Sequence, residues 1–312
     1  MRESARAERR RSLFTGLVTL ELIEISRGRT RVVVAPEAGG RLVQIAVDAG
    51  GAWRPLLVEP GDHALLLREP LLWGSYVMAP WPGRVEGGRF CFRHRLYELP
   101  RNFAGHSIHG RGVWQAWRVE EARRDRCVLS VAFDGGWPFG GGARQEIVVR
   151  DDAVAQRVTV FAHGEAFPAG IGWHPWFRRA AGDGAVAARV DARWTYETRE
   201  MIPTGWCFAP GRDLALADGP VLGERRIDAC YRGLRGPLAL RWGSLWLEMT
   251  RSPNIDHAVV YTPEHAVCVE PQTCAPDALN LREQRIAGTG LRLVRPGEPL
   301  VAETVWRWGW EA

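Results

Sequence analysis

The chain predicts an all-β fold, and three observations carry the prediction. Short apolar runs rich in β-branched and aromatic residues recur along its whole length. Gly (35) and Pro (20) separate these runs at turn spacing, and no 3.6-residue apolar period lasts three helical turns. With 312 residues, 46% hydrophobic and 25% charged, the chain can bury a proper core. Large β-sandwiches routinely exceed the usual domain size, so length does not force two domains.

In chain order, residues 30–34, 127–133, 146–150, 155–161, 187–193, 245–249, 258–261 and 266–270 read as strands, most of them bounded by Gly, Pro, Asp or Asn. Two hairpins are expected, one turning at Asp151-Asp152 and one at Arg295-Pro296-Gly297-Glu298 before a strand over 299–308. The nearest helical candidate, residues 4–11, is polar nearly all round. With no repeat, low-complexity tract or linker-like shift, the expected organisation is a flexible tail over 1–12 and one β-sandwich domain over 13–312.

Composition excludes several chemistries. All 41 basic residues are arginine, so no Schiff-base lysine, pyridoxal-phosphate lysine or Walker-A loop can be built. The formal charge of +5 is spread among interspersed acids, and the run Arg9-Arg10-Arg11 reads as a solvated segment, not a nucleic-acid patch. Six scattered cysteines without a CxxC pair fit buried thiols in a reducing compartment better than a zinc ribbon or disulfide framework. Residues 13–22 lack a signal peptide's uninterrupted apolar segment, and no stretch has the apolar length to span a bilayer. A cytoplasmic protein with neither membrane nor nucleic-acid partners is expected.

Four Gly- or Pro-flanked segments carry the candidate chemistry: Ala79-Pro80-Trp81-Pro82-Gly83-Arg84, Ser107-Ile108-His109-Gly110, Gly172-Trp173-His174-Pro175-Trp176-Phe177 and Val269-Glu270-Pro271-Gln272-Thr273. A histidine between Trp173 and Pro175 has a restricted backbone. A glutamate ending an apolar strand points from a rigid element into whatever lies beyond the sheet. Of the fifteen tryptophans, Trp73, Trp81, Trp114, Trp173 and Trp176 fall in loops, where an indole face can stack on a sugar ring. Spacing alone does not establish that these segments meet.

In this order the segments resemble the aldose 1-epimerase (galactose mutarotase) family. Gly39-Gly40-Arg41 is similar to its early turn, Pro82-Gly83-Arg84-Val85 with Gly88-Arg89-Phe90 to its Asn-Arg-Ile and Gly-x-Phe stretch, and Ile108-His109-Gly110 to its Leu-His-Gly. His174-Pro175-Trp176-Phe177 resembles its His-Pro-Tyr-Phe, Ile202-Pro203-Thr204-Gly205 its Pro-x-Gly turn and Ile227-Asp228-Ala229-Cys230-Tyr231 its Leu-Asp-x-x-Phe. Glu270-Pro271-Gln272-Thr273, followed by Pro276-Asp277-Ala278 and Asn280, resembles its Glu-Pro-x-Thr strand end and next loop.

The resemblance implies a galactose-mutarotase-like β-supersandwich that interconverts the α and β anomers of a free aldose. It implies Glu270 as general base, His174 as general acid, and Arg84, His109 and Asp228 as sugar ligands. Trp176 is a further expected contact, and neither cofactor nor metal is expected. For His174 to be the protonated acid near neutrality its pKa must rise, and Asp228 or Glu270 is the anion expected to raise it. Three departures put galactose itself in doubt: Gly83 where Asn is usual, Arg111 after His109-Gly110, and Trp176 where Tyr is commoner. Three alternatives stay open: a non-catalytic sugar binder on the same fold, a metal site of His109, His174 and Glu270, and a phosphorylated or otherwise anionic sugar held by Arg178-Arg179. Oligomeric state is not legible.

Overall fold

The computed structural model describes residues 7–14, 18–60, 70–200 and 202–311. Two antiparallel sheets dominate it. The larger runs, in spatial order, through Glu8–Phe14, Val18–Arg27, Thr30–Ala35, Arg41–Asp48, Ser75–Met78, Gly172–Pro175, Ala266–Gln272, His257–Tyr261, Asp228–Leu234, Ala192–Arg199 and Ile202–Phe208. The smaller runs through Arg118–Arg123, Arg126–Ala132, Gly142–Val149, Ala153–Phe161, Leu300–Trp310, Leu245–Arg251, Leu238–Trp242 and Val186–Arg189. Their facing sides share one core, with Val77, Val260, Val267 and Val269 from the large sheet and Leu129, Val158, Leu247 and Trp306 from the small one. The six cysteines are all free thiols.

The all-β expectation holds, and several boundaries differ for physical reasons. Residues 8–12, expected as tail, belong to the edge strand Glu8–Phe14, where Glu8 stands opposite Glu24 and Arg9 forms an ion pair with Glu21. A charge-rich edge strand resembles a tail in composition, because Arg and Glu suit a solvated sheet edge. The run 187–193 is two strands, since the chain leaves the small sheet after Val186–Arg189 and enters the large one at Ala192–Arg199. The Asp151-Asp152 hairpin joins Gly142–Val149 to Ala153–Phe161 as expected. At Arg295–Glu298 the turn forms around Gly297 (φ +80°), but its arms diverge. Arg292–Val294 pairs with Phe167–Ala169, while Leu300–Trp310 inserts between Ala153–Phe161 and Leu245–Arg251. Eleven residues with alternating burial find more pairing in mid-sheet than in a two-stranded ribbon.

One α-helix, Ala278–Glu283, occurs among the described residues, and its six residues are too few for a periodic signal. No helix among the described residues is long and apolar enough to cross a membrane.

Candidate active site

Strand pleat decides which residues face the core and which face away. Val267 and Val269 point into the core, so Cys268, Glu270 and Gln272 point to the opposite face. Register then assembles a row on that face. His174 sits opposite Tyr76, Glu270 opposite Val259, and Val259 opposite Cys230. A neighbouring row pairs Asp228 with Tyr261 and Tyr261 with Cys268. The sheet thus brings His174, Glu270 and Asp228, separated by up to 96 residues in sequence, into one cleft of about 130 Å³.

Two loop segments supply the wall over this floor. Arg84 and Ile108 pair in a two-residue ladder, and the His109 N–H donates to Gly83 O at 2.9 Å. The Gly83 N–H donates in return to His109 Nδ1 at 3.3 Å, which fixes the tautomer and leaves Nε2–H as the donor of that ring. Gly110 is obligatory here. Its φ is +72°, and a Cβ would stand 2.1 Å from Ala79 O. The same reasoning explains Gly83, whose φ is +66° and whose Cβ would lie 2.6 Å from Pro276 Cβ. The side chain missing relative to the family pattern is excluded by Pro276.

The central contact is His174 Nε2 to Glu270 Oε1, 3.3 Å, with both side chains almost fully buried. Gln272 Nε2 donates to the other carboxylate oxygen at 3.1 Å. Burial, and then the charge of Asp228, push Glu270 well above the usual carboxylate range, while Gln272 and Arg84 oppose the shift. Burial pushes His174 down to about 3, helped by the buried Arg41 cation and opposed by a local backbone hydrogen bond. The expectation of a raised imidazole is therefore corrected. Glu270 is not a fixed anion that raises its partner, because the same low-polarity surroundings neutralise both groups. His109 is also held well below its ordinary value, by burial, His174 and Arg84. Asp228 is more open, yet the enclosing walls raise it to about 6, against a lowering by Arg84.

The structure brings all six expected site residues to the cleft, although one takes a different part. Trp176 is stacked with His174 at 4.9 Å and 10° and with His265 at 5.4 Å and 13°. At 2% exposed, its indole braces His174 and leaves almost no face open for a sugar to stack on. The other loop tryptophans lie outside the cleft lining. Trp81 and Trp173 belong to the main core, and Trp73 lies under the Arg41 guanidinium at 3.9 Å. Arg111 forms a two-pronged pair with Asp134, at 2.8 and 2.7 Å. Arg179 is spent on the carbonyls of Pro263, Gly223 and Thr262. Neither lines the cleft.

Sequence reasoning missed Tyr76, Phe103, Tyr261 and Gln272 as lining residues. Gln272 was within reach, being two residues from Glu270 on a strand and so on the same face. Tyr76 enters only through its register with His174.

Among the described residues, the donors close enough to share a metal ion are His174, Cys268 and Glu270, all within 4.8 Å of one another. His109 is outside this group, and Cys268 does not line the cleft. The alternative metal grouping of His109, His174 and Glu270 is not the set whose donor atoms lie within reach of one ion.

A buried carboxyl–imidazole pair ringed by an arginine, a second histidine and an aspartate stands at the floor of a β-sandwich cleft. Residues 21–307 match the family model Aldose 1-epimerase, so the chain belongs to that family. It is 22% identical over 277 residues to the uncharacterised protein YphB of Escherichia coli K12, covering 83% of this chain and 92% of that one. With YihR of the same organism it shares 21% identity, over 80% and 85% of the two chains. A galactose mutarotase-like protein from Clostridium acetobutylicum superposes with a TM-score of 0.83 at 16% identity, over 98% of this chain and 99% of that one. Galactose 1-epimerase from Lactobacillus acidophilus does so with a TM-score of 0.78 at 14% identity, over 99% and 100%. The galactose-mutarotase-like fold is shared throughout.

Proposed function

We propose that the protein is a mutarotase that interconverts the α and β anomers of a free, uncharged aldose. The observation that carries this is the 3.3 Å contact between His174 Nε2 and Glu270 Oε1 in a buried cleft. Anomer exchange needs one group to take the proton of the C1 hydroxyl and another to give one to the ring oxygen. The pair does both with a single shared proton. In the ion-pair form, Glu270 takes the C1 hydroxyl proton as His174 protonates the ring oxygen, the C1–ring-oxygen bond breaks, and the open aldehyde stands beside a neutral pair. After rotation about C1–C2 the transfers reverse: His174 recovers the proton from the ring-derived hydroxyl, Glu270 returns its own to the aldehyde oxygen, and the other anomer closes.

Burial favours the neutral pair, the state that accompanies the open sugar, so the ion-pair form that starts the cycle is the minor form of the free enzyme. His109 Nε2–H, Arg84 and Asp228 are placed to hold sugar oxygens. A neutral aldose is favoured because Arg84 is the cationic side chain in the cleft lining and faces Asp228, while Arg179 is committed to backbone carbonyls.

Exchange NMR of the α and β anomers of D-glucose, D-galactose and their 6-phosphates tests the reading. Acceleration above the buffer rate for a free hexose, at catalytic protein concentrations, is expected. Binding without acceleration for every free aldose overturns the reading in favour of a non-catalytic sugar binder.

A further inference from the structure

The loop after Glu270 carries a buried carboxylate that the proton-transfer scheme leaves unused. Asp277 is 2% exposed and sits at φ +54°, a region unfavourable for a non-glycine residue. A buried carboxylate in strained backbone is costly unless hydrogen bonds offset it. Here one oxygen takes two. Oδ1 accepts from the Glu86 N–H at 3.0 Å and from Asn280 Nδ2 at 2.8 Å. The Asp277 N–H donates to Arg84 O at 2.7 Å, and Pro276 presses on Gly83. The carboxylate and the backbone of one residue therefore grip both sides of the Arg84–Glu86 segment. That segment has little stiffness of its own, being flanked by Gly83, Gly87 and Gly88, all at positive φ. At the loop's other end, the Thr273 N–H donates to Ile171 O and Thr273 Oγ1 accepts from the Ile171 N–H, which ties the loop to the strand that carries His174.

We propose that Asp277 is a positioning residue that clamps the Gly83–Gly88 segment so that Arg84 is held in the lining of the cleft that contains the acid–base pair. The clamp couples the sugar-binding wall to the catalytic floor through the loop that leaves Glu270. This inference rests on the mutarotase reading for its kinetic consequence, but its structural content is independent of that reading.

The test uses Asp277→Gly, which tolerates the positive φ and removes the acceptor, and Asp277→Asn, which keeps an acceptor oxygen and is the polar residue best suited to that backbone. Anomer exchange of D-galactose and D-glucose is measured for both, for Arg84→Ala and for Asp277→Gly/Arg84→Ala, alongside amide hydrogen exchange of the full chain. Expected for Asp277→Gly is a fall in kcat/KM of roughly 10- to 100-fold, borne mainly by KM, the range for losing a charged sugar contact. Asp277→Asn should stay within roughly threefold of the parent. The double variant should be no worse than Arg84→Ala, because the two changes remove one interaction. Amide exchange across residues 84–88 should rise in Asp277→Gly. An equal further loss in the Arg84→Ala background, an Asparagine variant as damaged as Asp277→Gly, or unchanged exchange at 84–88 overturns the clamp. If the parent accelerates neither sugar, the mutarotase reading fails on its own, and amide exchange alone then upholds or overturns the clamp.

Discussion

Replacing Glu270 with glutamine should abolish anomer exchange while leaving the fold slightly more stable at neutral and alkaline pH. The side chain is 2% exposed, and its Oε1 lies 3.3 Å from His174 Nε2. Glutamine keeps the volume, can still accept from Gln272 with its amide oxygen, and can offer its NH₂ to a neutral imidazole. It cannot take a proton from the C1 hydroxyl. Loss of one positioned proton-transfer group is worth ~10²–10⁴-fold, or about 3–5 kcal/mol of barrier at about 1.4 kcal/mol per decade. The stability effect has the opposite sign. Glu270 has its folded pKa raised above the unfolded value, so the stability it contributes is full below about 4.5 and is lost as pH rises through the folded pKa. Removing the ionisable group removes that loss, and the melting-temperature gap between variant and parent should widen with pH. Exchange NMR and a melting series from pH 5 to 9 measure both quantities. Near-parental exchange refutes the base assignment. Lost exchange together with a lowered melting temperature at pH 8 refutes the claim that the carboxylate is held against its own burial cost.

Three other outcomes follow from the same geometry. Asp228 titrates near 6, so if its anion holds a sugar hydroxyl, kcat/KM falls as pH drops through about 6, and Asp228→Asn loses that limb along with most of its affinity. Five buried groups and the more open Asp228 shape the acid stability profile. His109, His174 and His257 are depressed, so the stability they contribute is present above about 6.5 and drains away as pH falls, towards about 3 for His174 and His257. Glu270, Asp228 and Asp277 are raised and contribute in the opposite direction down to their unfolded values. The two sets oppose each other between about pH 4.5 and 6; a melting series that declines steeply and steadily from pH 6.5 would contradict that opposition. Gly83→Ala forces a Cβ against Pro276 and should cost about 1–3 kcal/mol in chemical denaturation and weaken sugar binding, since Gly83 also donates to His109.

Much of this was legible in the sequence, unevenly. The β class followed from run length and turn residues, and the positions of His174 and Glu270 from strand ends flanked by proline. What single-sequence reasoning could not supply was register. Nothing within residues 70–80 says that Tyr76 faces His174, because that pairing is fixed by a strand nearly a hundred residues later. Charge state failed for a related reason. A carboxylate beside a histidine suggests a raised imidazole when the two are imagined in water, and only their joint burial reverses the direction. Trp176 shows the same limit: its place in the cleft could be expected, but its two stacking partners could not, since His265 reaches it from another strand end.

In the proposed reaction, the distribution of charge in the cleft separates binding from proton transfer. Asp228 and Arg84 stand towards the opening, where solvent lowers the cost of their charges. His174 and Glu270 lie on the sheet floor, where charge is penalised and the neutral pair is preferred. A stepwise path that first removes the C1 hydroxyl proton would leave a separate alkoxide and imidazolium in that low-polarity floor. Moving both protons together avoids the intermediate charge, because each transfer cancels the charge the other creates. Bracing by Trp176 on one side and a 3.3 Å contact with Glu270 on the other hold His174 at the distance such coupling requires. The burial that makes each group a poor acid or base alone is what suits the two to act as one.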